Sequence, residues 1–141
     1  MENLVWDKEK MEAKCTIDLP SGTLTTIARC HPDDYDFVNE FTGCEIANRR
    51  MSIKVLQIHK HELNIRLSAL NQLYYSMKHS KKFNEKSYEN KMLQRQINMV
   101  KQDIQTVKEM IEEERNNLKS YIDAKDNFYK KVRANREKKN D

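Results

Sequence analysis

The sequence predicts an α+β, mainly α fold: a short N-terminal β hairpin followed by a long antiparallel two-helix hairpin, associating into a dimeric helical bundle. Three observations predict it. From Cys44 to Asp141 there is neither glycine nor proline, so no strong breaker interrupts that run. Apolar residues recur there in steps of three and four, the spacing of one helical face. A turn-forming cluster, Pro20-Ser21-Gly22, sits inside a β-branched segment near the N-terminus, where proline presets φ and glycine tolerates a positive φ.

With 141 residues the chain is one domain in size, and a single core forms only if its elements fold back on one another. It divides into 1–42, β hairpin and loop; 43–78, helix one; 79–87, turn; and 88–138, helix two. Charged residues are 34% and aromatics 8% of the chain, a balance that suits amphipathic helices with wide solvated faces better than a closed α/β core. No apolar run approaches the roughly 20 residues needed to cross a bilayer, and Met1 to Met11 lacks the apolar stretch of a signal peptide. The expected location is the cytoplasm. Cys15, Cys30 and Cys44 are odd in number and show no CxxC spacing, so they read as reduced structural thiols. The formal net charge is +4. Lys130, Lys131, Arg133, Arg136, Lys138 and Lys139 against Glu137 and Asp141 place all of it in the last twelve residues. That is a solvated helix end, where cations suit the negative pole of the dipole, rather than a nucleic-acid patch.

The hairpin runs from Lys14 to Cys30 and turns at Pro20-Ser21-Gly22. Two strands alone are marginal in water, so the hairpin must either pack on the helices or pair with another strand, for which Leu4-Val5-Trp6 is the available segment. His31 to Phe41 reads as an ordered loop with aromatic anchors. Thr42-Gly-Cys-Glu45 fits a capping box, which starts helix one there. Its first apolar seam is Ile46, Ile53, Leu56, Leu63, Leu67, Leu70, Tyr74 and Met77. A second stripe runs beside it through Met51, Val55, Ile58, Ile65, Ala69 and Leu73. One partner helix cannot cover both stripes, which points to a second subunit and a four-helix bundle. The polar stretch Lys78 to Ser87 turns the chain, with Ser87 as N-cap. Helix two carries Leu93, Ile97, Val100, Ile104, Val107, Ile111, Leu118, Tyr121, Phe128 and Val132. At 1.5 Å per residue it spans about 75 Å against about 54 Å for helix one, so its end needs another surface to pack on.

No nucleophile, base and orienting acid stand in a catalytic motif, and two glycines build no phosphate loop. His31, Asp33 and Asp34 suit turn and cap roles better than a metal site, which needs three or four converging groups. His59 and His61 are two apart on a helix and face different ways. No cofactor is expected. Helix two and the turn before it carry a more suggestive set: Phe83, Tyr88, Asn98, Arg115, Asn116 and Lys119. An adenine nucleotide needs a plane to stack on, an amide for the base edge and cations for phosphate. All are available here, although Arg115 and Lys119 equally suit a solvated helix face.

The stretch Ala28-Arg-Cys-His-Pro-Asp-Asp-Tyr-Asp-Phe37, followed by Gly43-Cys-Glu-Ile-Ala-Asn-Arg-Arg50 opening a long helix, resembles the first family of Thoeris anti-defence proteins, and the layout of hairpin, aspartate-rich loop and two helices matches over nearly the whole chain. Those phage proteins capture the immune signal glycocyclic ADP-ribose without cleaving it, and some also hold cyclic trinucleotides. The resemblance implies a non-enzymatic sponge in the host bacterial cytoplasm. It further implies a ligand held between the helices of two subunits, its purine gripped by an aromatic ring and an arginine. Phe83, Tyr88, Asn98, Arg115 and Lys119 are the positions carried over. The rival expectation is a coiled-coil adaptor or inhibitor that binds a host protein.

Overall fold

A computed structural model describes residues 2–30, 39–80 and 84–140. Three antiparallel strands open the chain: β1 (Glu2–Asp7), β2 (Glu12–Leu19) and β3 (Gly22–Arg29), in spatial order β1-β2-β3. The Leu4-Val5-Trp6 segment does pair, with Leu4 opposite Cys15 and Trp6 opposite Ala13. The turn after β1 is held by Asp7, whose carboxylate accepts the N–H groups of Glu9 at 3.0 Å and Lys10 at 3.1 Å. Across the second turn Leu19 pairs with Gly22, whose φ of 138° is one that side chains with a Cβ rarely adopt. Alternation then places Leu4, Trp6, Ala13, Cys15, Ile17, Leu24, Thr26 and Ala28 on one face.

That face is closed by α1 (Glu40–Lys78). Ala13, Cys15 and Ala28 from the sheet and Ala47 and Met51 from the helix form a buried cluster, flanked by Trp6, Ile17, Leu24, Cys44 and Ile46. Small residues let helix and sheet approach closely. A Cβ added at Gly43 would stand 2.8 Å from Cζ3 of Trp6, closer than carbon atoms pack. Three hydrogen bonds tie α1 to β3. The Thr26 hydroxyl donates to the Ala47 carbonyl at 2.7 Å, Arg50 Nη1 to the Ile27 carbonyl at 2.6 Å and Lys54 Nζ to the Thr25 carbonyl at 3.1 Å.

The capping box expected at Thr42 is not used. The helix begins earlier, at Glu40, and Asn39 caps it: its side-chain oxygen accepts the Phe41 N–H at 2.8 Å and its carbonyl the Gly43 N–H at 3.1 Å. Thr42 is therefore inside the helix, its hydroxyl buried with no partner, while Glu45 pairs with Arg49 at 2.8 Å. The reason is packing. Gly43 looks like a residue outside a helix, yet here its missing side chain makes room for Trp6. Ser87 behaves as expected and caps α2 (Tyr88–Asn140), its hydroxyl accepting the Asn90 N–H at 3.2 Å.

Two compact units share these elements, Met1–Lys54 with Glu113–Asp141, and Val55–Glu112. In the first, Arg49 of α1 lies over the Tyr121 ring of α2, 5.2 Å from its centroid. Leu118, Tyr121 and Val132 are half-buried there, but Phe128, expected on the same seam, is exposed. In the second, the helices are antiparallel neighbours. Leu93, Ile97, Val100, Ile104, Val107 and Ile111 are buried, as is Leu63, with Leu67, Leu70, Tyr74 and Met77 half-buried. Each large side chain buried in this way contributes about 1.5–3 kcal/mol. The second stripe of α1 is covered unevenly, with Ile58 half-buried. Met51 is buried, whereas Val55, Ile65 and Leu73 are exposed.

Candidate functional site

Of the expected site residues, Phe83 lies outside the described residues. Tyr88 is the first residue of α2 and exposed over 73% of its surface. Asn98, Arg115, Asn116 and Lys119 also face solvent. Tyr88 and Asn98 belong to the Val55–Glu112 unit, and Arg115, Asn116 and Lys119 to the other. Arg115 and Lys119 are one helical turn apart, so a single anion could span them.

Asn98 does enter a cleft. Asn71 and Tyr74 of α1 and Gln94, Ile97, Asn98 and Lys101 of α2 enclose about 220 Å³. The helical repeat explains the grouping: Gln94, Asn98 and Lys101 are spaced four and three apart, and Asn71 and Tyr74 three apart, so each set projects from one side of its helix. The floor is apolar, because Ile97 belongs to the buried seam. The rim supplies amide donors and acceptors, a phenol and an ammonium. The volume is below the 300–1,000 Å³ typical of drug-sized ligands, enough for a planar ring or part of a larger molecule. Asn71 also lines an open trough of about 640 Å³ along α1, with Asn64, Leu67, Ser68, Gln72, Tyr75 and Ser76. Beyond it the exposed Tyr75 ring stands 4.3 Å from His79. Sequence reading missed Asn71, Gln94 and Lys101. It placed Tyr74 in the seam, and the signal that pointed further was its helical spacing from Asn71 opposite an amide-bearing stripe on α2.

Cys15, Cys30 and Cys44 form no disulfide, and their chemistry suits structure rather than catalysis. Burial pushes the Cys15 thiol up to about 11, and the Glu2 carboxylate, which accepts its S–H at 3.2 Å, pushes it the same way. Burial also raises Cys30, and burial together with Glu40 raises Cys44. A thiol held protonated is a poor nucleophile and a poor metal ligand. Among the described residues no group of three or more His, Cys, Asp or Glu stands close enough to hold a metal ion. His31, Asp33 and Asp34 lie outside them. No described helix is long and apolar enough to cross a membrane. Comparison with protein-family models, with characterised proteins and with solved structures gives no match to this chain.

Proposed function

We propose that this chain is a non-catalytic binding protein that self-associates through α1 and sequesters a nucleotide-type signal, glycocyclic ADP-ribose being the member of that class that its sequence resemblance implies. The observation that supports it is the Asn71–Tyr74–Gln94–Asn98–Lys101 cleft, where the Ile97 side chain, three amides, a phenol and a cation line one space. That is the chemistry a purine and an adjoining phosphate require: a surface for the ring, amides for its edge and an ammonium for the anion. Arg115 and Lys119 offer a second cationic pair for phosphate, in the other unit.

Incubation with a panel of cyclic nucleotides, heat denaturation and analysis of what is released tests this directly. Intact ligand supports sequestration, altered ligand indicates an enzyme, and no ligand overturns the reading. Asn98→Ala and Lys101→Ala should each weaken binding at least tenfold in calorimetry, about 1.4 kcal/mol. Arg115→Ala reads the cationic pair separately. A tenfold loss places its guanidinium on the ligand, and unchanged affinity in the folded variant makes it surface decoration.

A second reading is favoured by the uncovered stripe. Val55, Ile65 and Leu73 retain 36%, 57% and 51% of their surface, apolar side chains on one stripe of α1 that a partner helix would cover. In an adaptor or inhibitor that stripe would take the helix of a host protein instead of a second copy. Light scattering behind a sizing column, compared with the chain carrying Ile65→Glu and Leu73→Glu, separates the two: a mass above 16.9 kDa that those substitutions lower supports self-association through α1, and a mass they leave unchanged leaves the face to a foreign partner.

A further inference from the structure

The two edges of the sheet are treated differently. The two-residue loop at Pro20-Ser21 makes Leu19 and Gly22 the closing hydrogen-bonded pair, so the odd residues of β2 bond to β3 and its even residues to β1. The free carbonyls of β3 are then those of its odd residues. Two of them, Thr25 and Ile27, are occupied by Lys54 and Arg50. On β1 the outward-pointing groups belong to Glu2, Leu4 and Trp6. Among the described residues, no backbone bond outside the strand pairing reaches them. Leu4 and Val5 are exposed over 42% and 49% of their surface. One edge carries the cations that blunt an edge strand, and on the other the described residues leave the outward groups uncovered beside the exposed Leu4 and Val5.

We propose that β1 pairs antiparallel with β1 of a second copy of this chain, joining two sheets into one of six strands, an interface separate from the α1 stripe. Antiparallel pairing sets outward residues against outward residues, so the twofold axis must pass through a residue, not between two. Centring it on Val5 sets Leu4 against the second copy's Trp6 on the helix-covered face and Val5 against Val5 on the other. Asn3 then meets Asp7, and Glu2 comes level with Lys8. Every pair is apolar with apolar, amide with carboxylate, or opposite in charge. Centring on Leu4 instead places the Glu2 carboxylate against the Trp6 ring and Val5 against Asn3. Chemistry therefore selects the Val5 register.

The register predicts a covalent bond. Val5 is a non-hydrogen-bonded pair across the axis, with Cα atoms about 4.5 Å apart, within the range a disulfide spans. The test uses the full chain and a full chain carrying Ile65→Glu and Leu73→Glu, which removes assembly through α1 and keeps the two interfaces distinguishable. In both, Val5→Cys should form a reductant-sensitive dimer under mild oxidation, while Asn3→Cys and the unsubstituted chain remain monomeric on a non-reducing gel. Leu4→Pro removes an N–H that serves only the second copy. It should halve the mass of the stripe-blocked chain at an unchanged melting temperature, whereas Val5→Pro, which removes a β1–β2 bond, should lower that temperature. Failure of Val5→Cys to cross-link, or an unchanged mass for folded Leu4→Pro, overturns the pairing.

Discussion

Ala47 and Met51 of α1 lie under the sheet with 0% and 2% of their surface exposed, whereas Ile65 and Leu73, further along the same helix, keep 57% and 51%. All four are apolar, and Ile65 follows Met51 by two heptads on the same helix. Only the cover differs. In the unit that holds the sheet, three strands close the second stripe of α1. In the Val55–Glu112 unit, α2 closes the first stripe and nothing described closes the second. Periodicity therefore reports that a face needs covering but not what covers it. The exposed part of the stripe is where the chain has apolar surface left for a partner.

The largest expected effect lies in the covered seam. Ile104 is buried between the helices of the Val55–Glu112 unit, and Ile104→Ala should lower stability by about 2–4 kcal/mol, read from the urea midpoint. A loss well below that would mean that this seam is loosely packed, and the contrast with the bare stripe would weaken. The sheet-covered core is sensitive in the opposite sense, to added volume. Gly43→Ala should gain up to about 1 kcal/mol in helix propensity, yet its new methyl meets Trp6, and overpacking costs about 1–3 kcal/mol. A net loss with a shifted tryptophan emission is expected. A net gain would show that Trp6 moves aside freely and that the cover is soft.

A smaller effect of opposite sign tests the helix start. The Thr42 hydroxyl is buried without a partner, a cost of about 1–3 kcal/mol for a polar group. Thr42→Val keeps the shape and removes that group, so the variant should be more stable by about 1 kcal/mol. A destabilised variant would show that the hydroxyl works as a cap after all.

This helix start also marks how far the residues could be read directly. The long helices were legible because glycine and proline vanish after Gly43 and the three-and-four spacing persists. The hairpin was legible from its turn residues, and its need for cover from its size, but that both covers, the helix and a third strand, are used was not. The start of α1 was misread because Thr42 and Glu45 mimic a capping box, while the deciding fact, the Trp6 ring against Gly43, is a contact between residues far apart in sequence. Phe128 was misread for a similar reason: a heptad position predicts a seam only where a neighbour reaches it. In the candidate site, Asn98 was singled out as an amide for a base edge, and it lines the cleft. Asn71, Gln94 and Lys101 were missed because a cleft between two helices depends on their relative register, which no single helical pattern contains.

The smallest effect is the most informative about the comparison that began here. Ile65 has the same side chain as Ile104 but more than half of its surface in water. In a chain diluted until scattering returns 16.9 kDa, Ile65→Ala should change stability by no more than about 0.5 kcal/mol, the range of surface substitutions. Removing apolar atoms that are already hydrated forfeits little transfer energy and leaves no cavity. At concentrations where the mass rises, the same variant should weaken assembly, because those atoms would then be leaving a buried interface. Measuring the urea midpoint against protein concentration for both isoleucine variants separates the cases. Ile104→Ala should show a constant deficit, and Ile65→Ala a deficit that grows with concentration. If Ile65→Ala instead costs as much as Ile104→Ala in the dilute single chain, the stripe is covered from within, and α1 has no free face to offer a partner.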